Sequence, residues 1–227
     1  MDHAAFIFWA NLTPFSLQAF AGAEAKLENW DVSYWSEKLR QQKYSVDDES
    51  IKPYLPLPKV LAGMYALAET LFGVTIKEST AYETWQDDVM TFDVTSTDTG
   101  APLAKFFLDP YARPADKRGG AWMNSAVGRS RALAALGEDV MLPVCYLVCN
   151  QSPPVGGQPS LMTFNEAETL FHEFGHGLQH MITTVDNGAV SGINGVEWDA
   201  VELPSQVHSI GSSVRLSPRG RVSASCS

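Results

Sequence analysis

The sequence predicts an α+β fold, largely helical, on three observations. Residues 33–42, 60–72 and 166–181 carry apolar positions at helical spacing. The run Val89–Val94 alternates polar and apolar residues, and Leu103–Leu108 answers it across Thr97-Asp-Thr-Gly-Ala, a hairpin turn. Met141–Cys149 is an apolar run with β-branched residues and reads as a further strand. The expected assembly is a small antiparallel or mixed sheet beside the helix at 166–181, with helices on the other side.

Each element has its own punctuation. The first helix covers Ser33–Gln42. Pro53-Tyr-Leu-Pro-Leu-Pro58 reads as extended chain, since proline fixes φ and biases the residue before it away from helix. The second helix, Val60–Phe72, stops at Gly73. Residues 74–150 read as strands and turns, and Arg113, Lys117 and Arg118 lie in the loop at 113–120. That basic cluster reads first as a solvated loop; an Arg fork also suits a peptide carboxylate. The third helix starts at Thr163, a candidate N-cap with Glu166 three residues on, which is the spacing of a capping box. Its Phe164, Leu170, Phe171, Phe174 and Leu178 form a packing face.

Composition narrows the function classes. With 227 residues, 45% hydrophobic and 19% charged, the chain can bury a core. A net charge of −10 and the absence of a basic face argue against nucleic-acid binding. Residues 4–23 are apolar but broken by Asn11, Thr13, Pro14, Ser16 and Gln18, and no lysine precedes Lys26, so they match neither a membrane span nor a signal peptide. Cys145, Cys149 and Cys226 make an odd count and read as reduced thiols. Gly156-Gly157 is a loop, wrongly framed for a phosphate cradle.

The chemistry concentrates in Phe171-His172-Glu173-Phe174-Gly175-His176. At 3.6 residues per turn the two imidazoles differ by about 40° of azimuth and one turn of rise, so they leave the same face of a helix. Two such nitrogens hold a tetrahedral zinc ion with room for a third ligand and a water. Glu173 follows the first histidine and is placed to act as a general base toward that water. Three of the five histidines, His172, His176 and His180, fall within nine residues. The pair His176/His180 encloses no acid, so His180 reads as a packing residue or a support for the ligands. For the third ligand Glu197, Asp199 and Glu202 all qualify, and spacing does not choose. If residues 196–206 are helical, Asp199 and Glu202 share a face.

Together, His172-Glu-Phe-Gly-His176 and Glu197-Trp-Asp-Ala-Val-Glu202-Leu-Pro-Ser-Gln206 resemble the thimet oligopeptidase family of zinc metallopeptidases, above all its oligopeptidase A branch. Trp30-Asp-Val-Ser-Tyr-Trp35, Phe107-Leu-Asp-Pro-Tyr-Ala-Arg113, Lys117-Arg-Gly-Gly-Ala-Trp-Met123 and Cys149-Asn-Gln-Ser-Pro-Pro154 agree in the same order. The resemblance covers residues 28–206 as a partial catalytic domain of a larger helical metallopeptidase, leaving 1–27 unmatched. It implies one zinc ion per chain held by His172, His176 and Glu202, Glu173 as the base, and Glu168 and Asp199 as hydrogen-bond partners of the ligand histidines. It further implies a metalloendopeptidase acting on short oligopeptides, without nucleic-acid or membrane partners, in the cytoplasm or in an organelle such as a chloroplast or mitochondrion. It leaves the oligomeric state open. The tail 207–227, with seven serines, three arginines and no acid, departs from the family and reads as disordered or out of frame. The departure raises an alternative: a truncated, catalytically impaired remnant that binds zinc or peptide.

Overall fold

The computed structural model describes residues 22, 28, 30–44 and 48–208. The segment at 4–23, apart from Gly22, and Cys226 with most of the tail lie outside the described residues. The chain divides into two compact units at Ile51/Lys52. In the first, α1 (Asp31–Tyr44) begins where the Asp31 carboxylate accepts the Glu28 backbone N–H at 3.0 Å, and α2 (Asp48–Ile51) follows.

The second unit carries the sheet. A 3-10 turn at Lys52–Tyr54 leads into α3 (Leu57–Phe72). Only Leu55 and Pro56 are left between these two elements, so the expected extended run over 53–58 is largely helical instead. The reason is positional: Pro58 falls in the first turn of α3, where a missing N–H breaks no helical bond. Leu57, Val60, Leu61, Met64, Leu67 and Ala68 form the buried stripe, and Gly73 ends the helix in the left-handed conformation at φ 63°, its N–H bonding Glu69 O.

Five strands follow: β1 (Val74–Ser79), β2 (Met90–Ser96), β3 (Pro102–Tyr111), β4 (Trp122–Val127) and β5 (Val144–Gln151). Their order is β1-β2-β3-β5-β4; β3 and β5 run parallel and the other neighbours antiparallel, so the sheet is mixed. The hairpin joining β2 to β3 closes through Ser96 N–H to Ala101 O at 2.8 Å.

On one face, Phe92, Val94, Ala104, Phe106, Leu108, Cys145 and Leu147 are buried. Two helices cover it, α3 and α4 (Phe164–Met181). Tyr65 of α3 meets Phe92 and Phe106 at ring distances of 5.3 and 6.3 Å, and Phe174 of α4 meets Phe106 at 6.1 Å and Tyr65 at 5.9 Å. Sharing Phe106 places both helices on the same side of the sheet, not on opposite sides as the sequence suggested. Burial of Cys145 and Cys149 in this layer leaves both thiols free, and pushes that of Cys149 up to about 12.

The other face carries Trp85, Phe107 and Tyr146, and at the end of β3 a buried ion cluster. Asp109 accepts both ends of the Arg113 fork at 2.8 and 2.7 Å, Lys117 Nζ at 2.9 Å and Trp85 Nε1 at 3.1 Å. Burial alone would raise the Asp109 carboxyl, but hydrogen bonds from Arg113, Lys117 and Trp85 outweigh it and hold the carboxyl below its ordinary value. Arg113 and Lys117 therefore do not belong to a solvated loop: both tie the segment between β3 and β4 to the sheet. Among the described residues no helix is long and apolar enough to cross a membrane.

Candidate metal centre

α4 is built to hold its register. The Thr163 hydroxyl accepts the Glu166 N–H at 3.1 Å while the Glu166 carboxylate accepts the Thr163 N–H at 2.7 Å, the reciprocal box expected there. Leu170, Phe171, Phe174 and Leu178 fix the buried face against the sheet. That rotation leaves His172 half-buried and His176 buried, ring centroids 5.0 Å apart.

Glu202 comes to them from 26 residues beyond His176, through turns rather than a helix. Residues 198–202 are turn and only 203–208 are helical, so the shared helical face once expected for Asp199 and Glu202 does not form. The Glu202 Oε2 atom lies 3.1 Å from Nε2 of His172 and 3.1 Å from Nε2 of His176. One ligand atom from each of the three residues falls within 4.8 Å of the others, an arrangement in which they can hold a metal ion. Two imidazole nitrogens and one carboxylate oxygen form the donor set that suits zinc.

Glu173 is buried on the neighbouring flank of the helix. Burial pushes its carboxyl up to about 7; a hydrogen bond from the Met123 backbone on β4 opposes the shift and the Glu202 charge adds to it. His176 is lowered, chiefly by burial. Glu202 is held below its ordinary value: partial burial raises it, but the Ser205 hydroxyl and the two histidines outweigh that.

The remaining candidates stand apart. Glu197 and Asp199 are exposed and Glu168 is half-buried, and among the described residues none of them hydrogen-bonds His172 or His176. The buried Nδ1 of His176 has no partner there. His180 is fully buried, its Nε2 donating to Val127 O at 2.8 Å, so it fastens α4 to β4 and lies outside the three-ligand cluster.

Sequence reasoning overlooked what Gly175 does. A side chain there would meet Ser205 Cα at 2.7 Å and Pro204 O at 2.9 Å, so a bare glycine lets the 203–208 helix rest on α4. The available signal was the glycine itself, a residue that costs helix stability unless a neighbour needs the room.

The chain is 51% identical over 197 residues to the organellar oligopeptidase A, chloroplastic/mitochondrial, of Arabidopsis thaliana, covering 86% of this chain and 25% of that protein. To the probable cytosolic oligopeptidase A of the same plant it is 49% identical over 197 residues, covering 86% and 28%. To oligopeptidase A of Escherichia coli (strain K12) it is 46% identical over 193 residues, covering 84% and 28%. The chain thus spans about a quarter of the length of the relatives it matches. A sequence profile of peptidase family M3 matches residues 10–210, which include the histidine pair, Glu173 and Glu202, and the chain belongs to that family.

Proposed function

We propose that this chain holds one zinc ion with His172, His176 and Glu202 and hydrolyses short peptides, Glu173 acting as the general base. The observation that carries the reading is the approach of Glu202 Oε2 to both imidazoles at 3.1 Å, with a buried acid on the adjoining residue. A bound zinc ion supplies Lewis acidity, toward a peptide carbonyl oxygen and toward water alike. The chain's own residues do the rest. The Glu173 carboxyl, raised to about 7, both accepts a proton from the attacking water and returns it to the leaving amine near neutral pH.

Glu168 and Asp199 are proposed as acceptors for the ligand imidazoles on the family resemblance; in this structure neither bonds them, and the buried Nδ1 of His176 has no partner among the described residues. Short peptides as substrates, and a cytosolic or organellar location, follow the names of the relatives.

The test is metal analysis of the desalted protein combined with cleavage of a quenched peptide. Close to one zinc per chain with cleavage abolished by a chelator is the expected result. Less than about a tenth of an equivalent in folded protein overturns the reading. Stoichiometric zinc without cleavage favours a binding-only remnant.

A further inference from the structure

Glu202 differs from its two co-ligands in how it is held. Its side chain is 50% exposed, whereas that of His176 is 9% exposed, so packing does little to choose its rotamer. Apart from the two histidines, the side chain that bonds its carboxylate among the described residues is Ser205. The Ser205 Oγ lies 2.9 Å from Glu202 Oε2 and 2.8 Å from the Glu202 carbonyl oxygen, sharing its proton between them. Ser205 itself is fully buried. Its Cα lies where a side chain on Gly175 would have to go, against the helix turn between Glu173 and His176.

We infer that Ser205, seated on Gly175, is the positioning residue that aims Glu202 at the metal. The inference rests on the zinc reading above. Its physical basis is a chain of fixed contacts. Gly175 sets the distance between α4 and the 203–208 helix, burial fixes Ser205 at that contact, and the hydroxyl passes this fixed position to a half-exposed carboxylate. The same oxygen that accepts from Ser205 is the one nearest both imidazoles. A hydrogen bond to a metal-ligating carboxylate restricts its orientation before the metal arrives, and removing such a support weakens binding about 10–100-fold.

The test is a double-mutant cycle read by zinc affinity, measured on the purified full chain by competition with a chromophoric chelator. Ser205→Ala should weaken zinc about 10–100-fold in the native background. In the Glu202→Gln background, where no carboxylate is left to aim, the same change should have little further effect. The thermal midpoint of each metal-free variant is recorded beside it, because a merely structural serine would move that midpoint and leave the cycle additive. Unchanged zinc affinity in folded Ser205→Ala, or an equal loss in both backgrounds, overturns the inference. A native chain that binds no zinc overturns the metal reading itself. If Ser205→Ala does not fold, Gly175→Ala goes through the same cycle: it keeps the hydroxyl, moves its seat, and should give the same non-additive loss.

Discussion

The two halves of the proposed metal centre are held by different means. His172, Glu173 and His176 share one 18-residue helix, capped at Thr163 and pinned by Phe174 against Phe106 and Tyr65. Glu202 comes from a stretch of turns, half-exposed, with one buried serine beside it. The helical half is part of the core, so moving it costs the fold. The turn half is docked at Gly175, so it can fail while the fold survives. A site made this way puts the geometry of two proposed ligands into stability and leaves the third to a local contact.

Glu202→Gln should break the turn half outright. Zinc is expected to be lost on desalting while the thermal midpoint of the metal-free chain stays near that of the native one, since exposed substitutions usually change stability by about 0.5 kcal/mol or less. Metal analysis and a melt on the same sample decide it, and unfolding together with metal loss would dissolve the contrast between the halves.

Glu173→Gln should keep the zinc and slow peptide cleavage about 10²–10⁴-fold, because it removes the proton acceptor and no ligand. Zinc content and turnover on a quenched peptide check the two parts separately. Loss of metal in this variant would mean that Glu173 supports binding.

In the helical half, Phe174→Ala should destabilise the protein by about 3–5 kcal/mol, the cost of emptying a fully buried aromatic site. Chemical denaturation of the metal-free chain measures it. A value below about 1 kcal/mol would mean that α4 is not anchored through this ring.

Acid should act through the Asp109 network near the C-terminal end of β3. The folded Asp109 carboxyl lies below its ordinary value. Its contribution is therefore complete above the unfolded value of about 4 and is lost as pH falls through the lower folded one. The stability of the native chain should decline over that acid range, and Asp109→Asn should start from a lower plateau and decline less. Parallel curves would show that the cluster is not the acid-sensitive element.

Thr163→Ala is expected to cost about 1 kcal/mol by removing one side of the capping box, with zinc stoichiometry unchanged. Zinc loss at this site would show that the start of α4 is coupled to the ligands after all.

The same division governs what could be read in advance. The cap at Thr163, the packing stripe of α4, the stop at Gly73 and the hairpin around Thr97–Gly100 are all local patterns, and each is present where its residues indicate. β4 escaped notice because Trp-Met-Asn-Ser-Ala-Val has no clean alternation at the sheet edge, where exposed positions interrupt the pattern. Arg113 and Lys117 look solvated in sequence because their partner Asp109 falls just past the strand read over Leu103–Leu108, and only the longer observed β3 carries it into the sheet.

By itself the sequence determined the helix, its cap, the shared face of His172 and His176, and Glu173 beside them, since spacing along a single helix fixes all of these. The choice among Glu197, Asp199 and Glu202 was not contained in spacing, and resemblance alone favoured the last. Bringing Glu202 Oε2 within 3.1 Å of both imidazoles was decided by tertiary structure. The physical reason is that the 20 residues of loop and turn between the end of α4 and Glu202 have no period to extrapolate. Their end point is set by a close approach at Gly175, and the sequence records that contact only as a missing side chain.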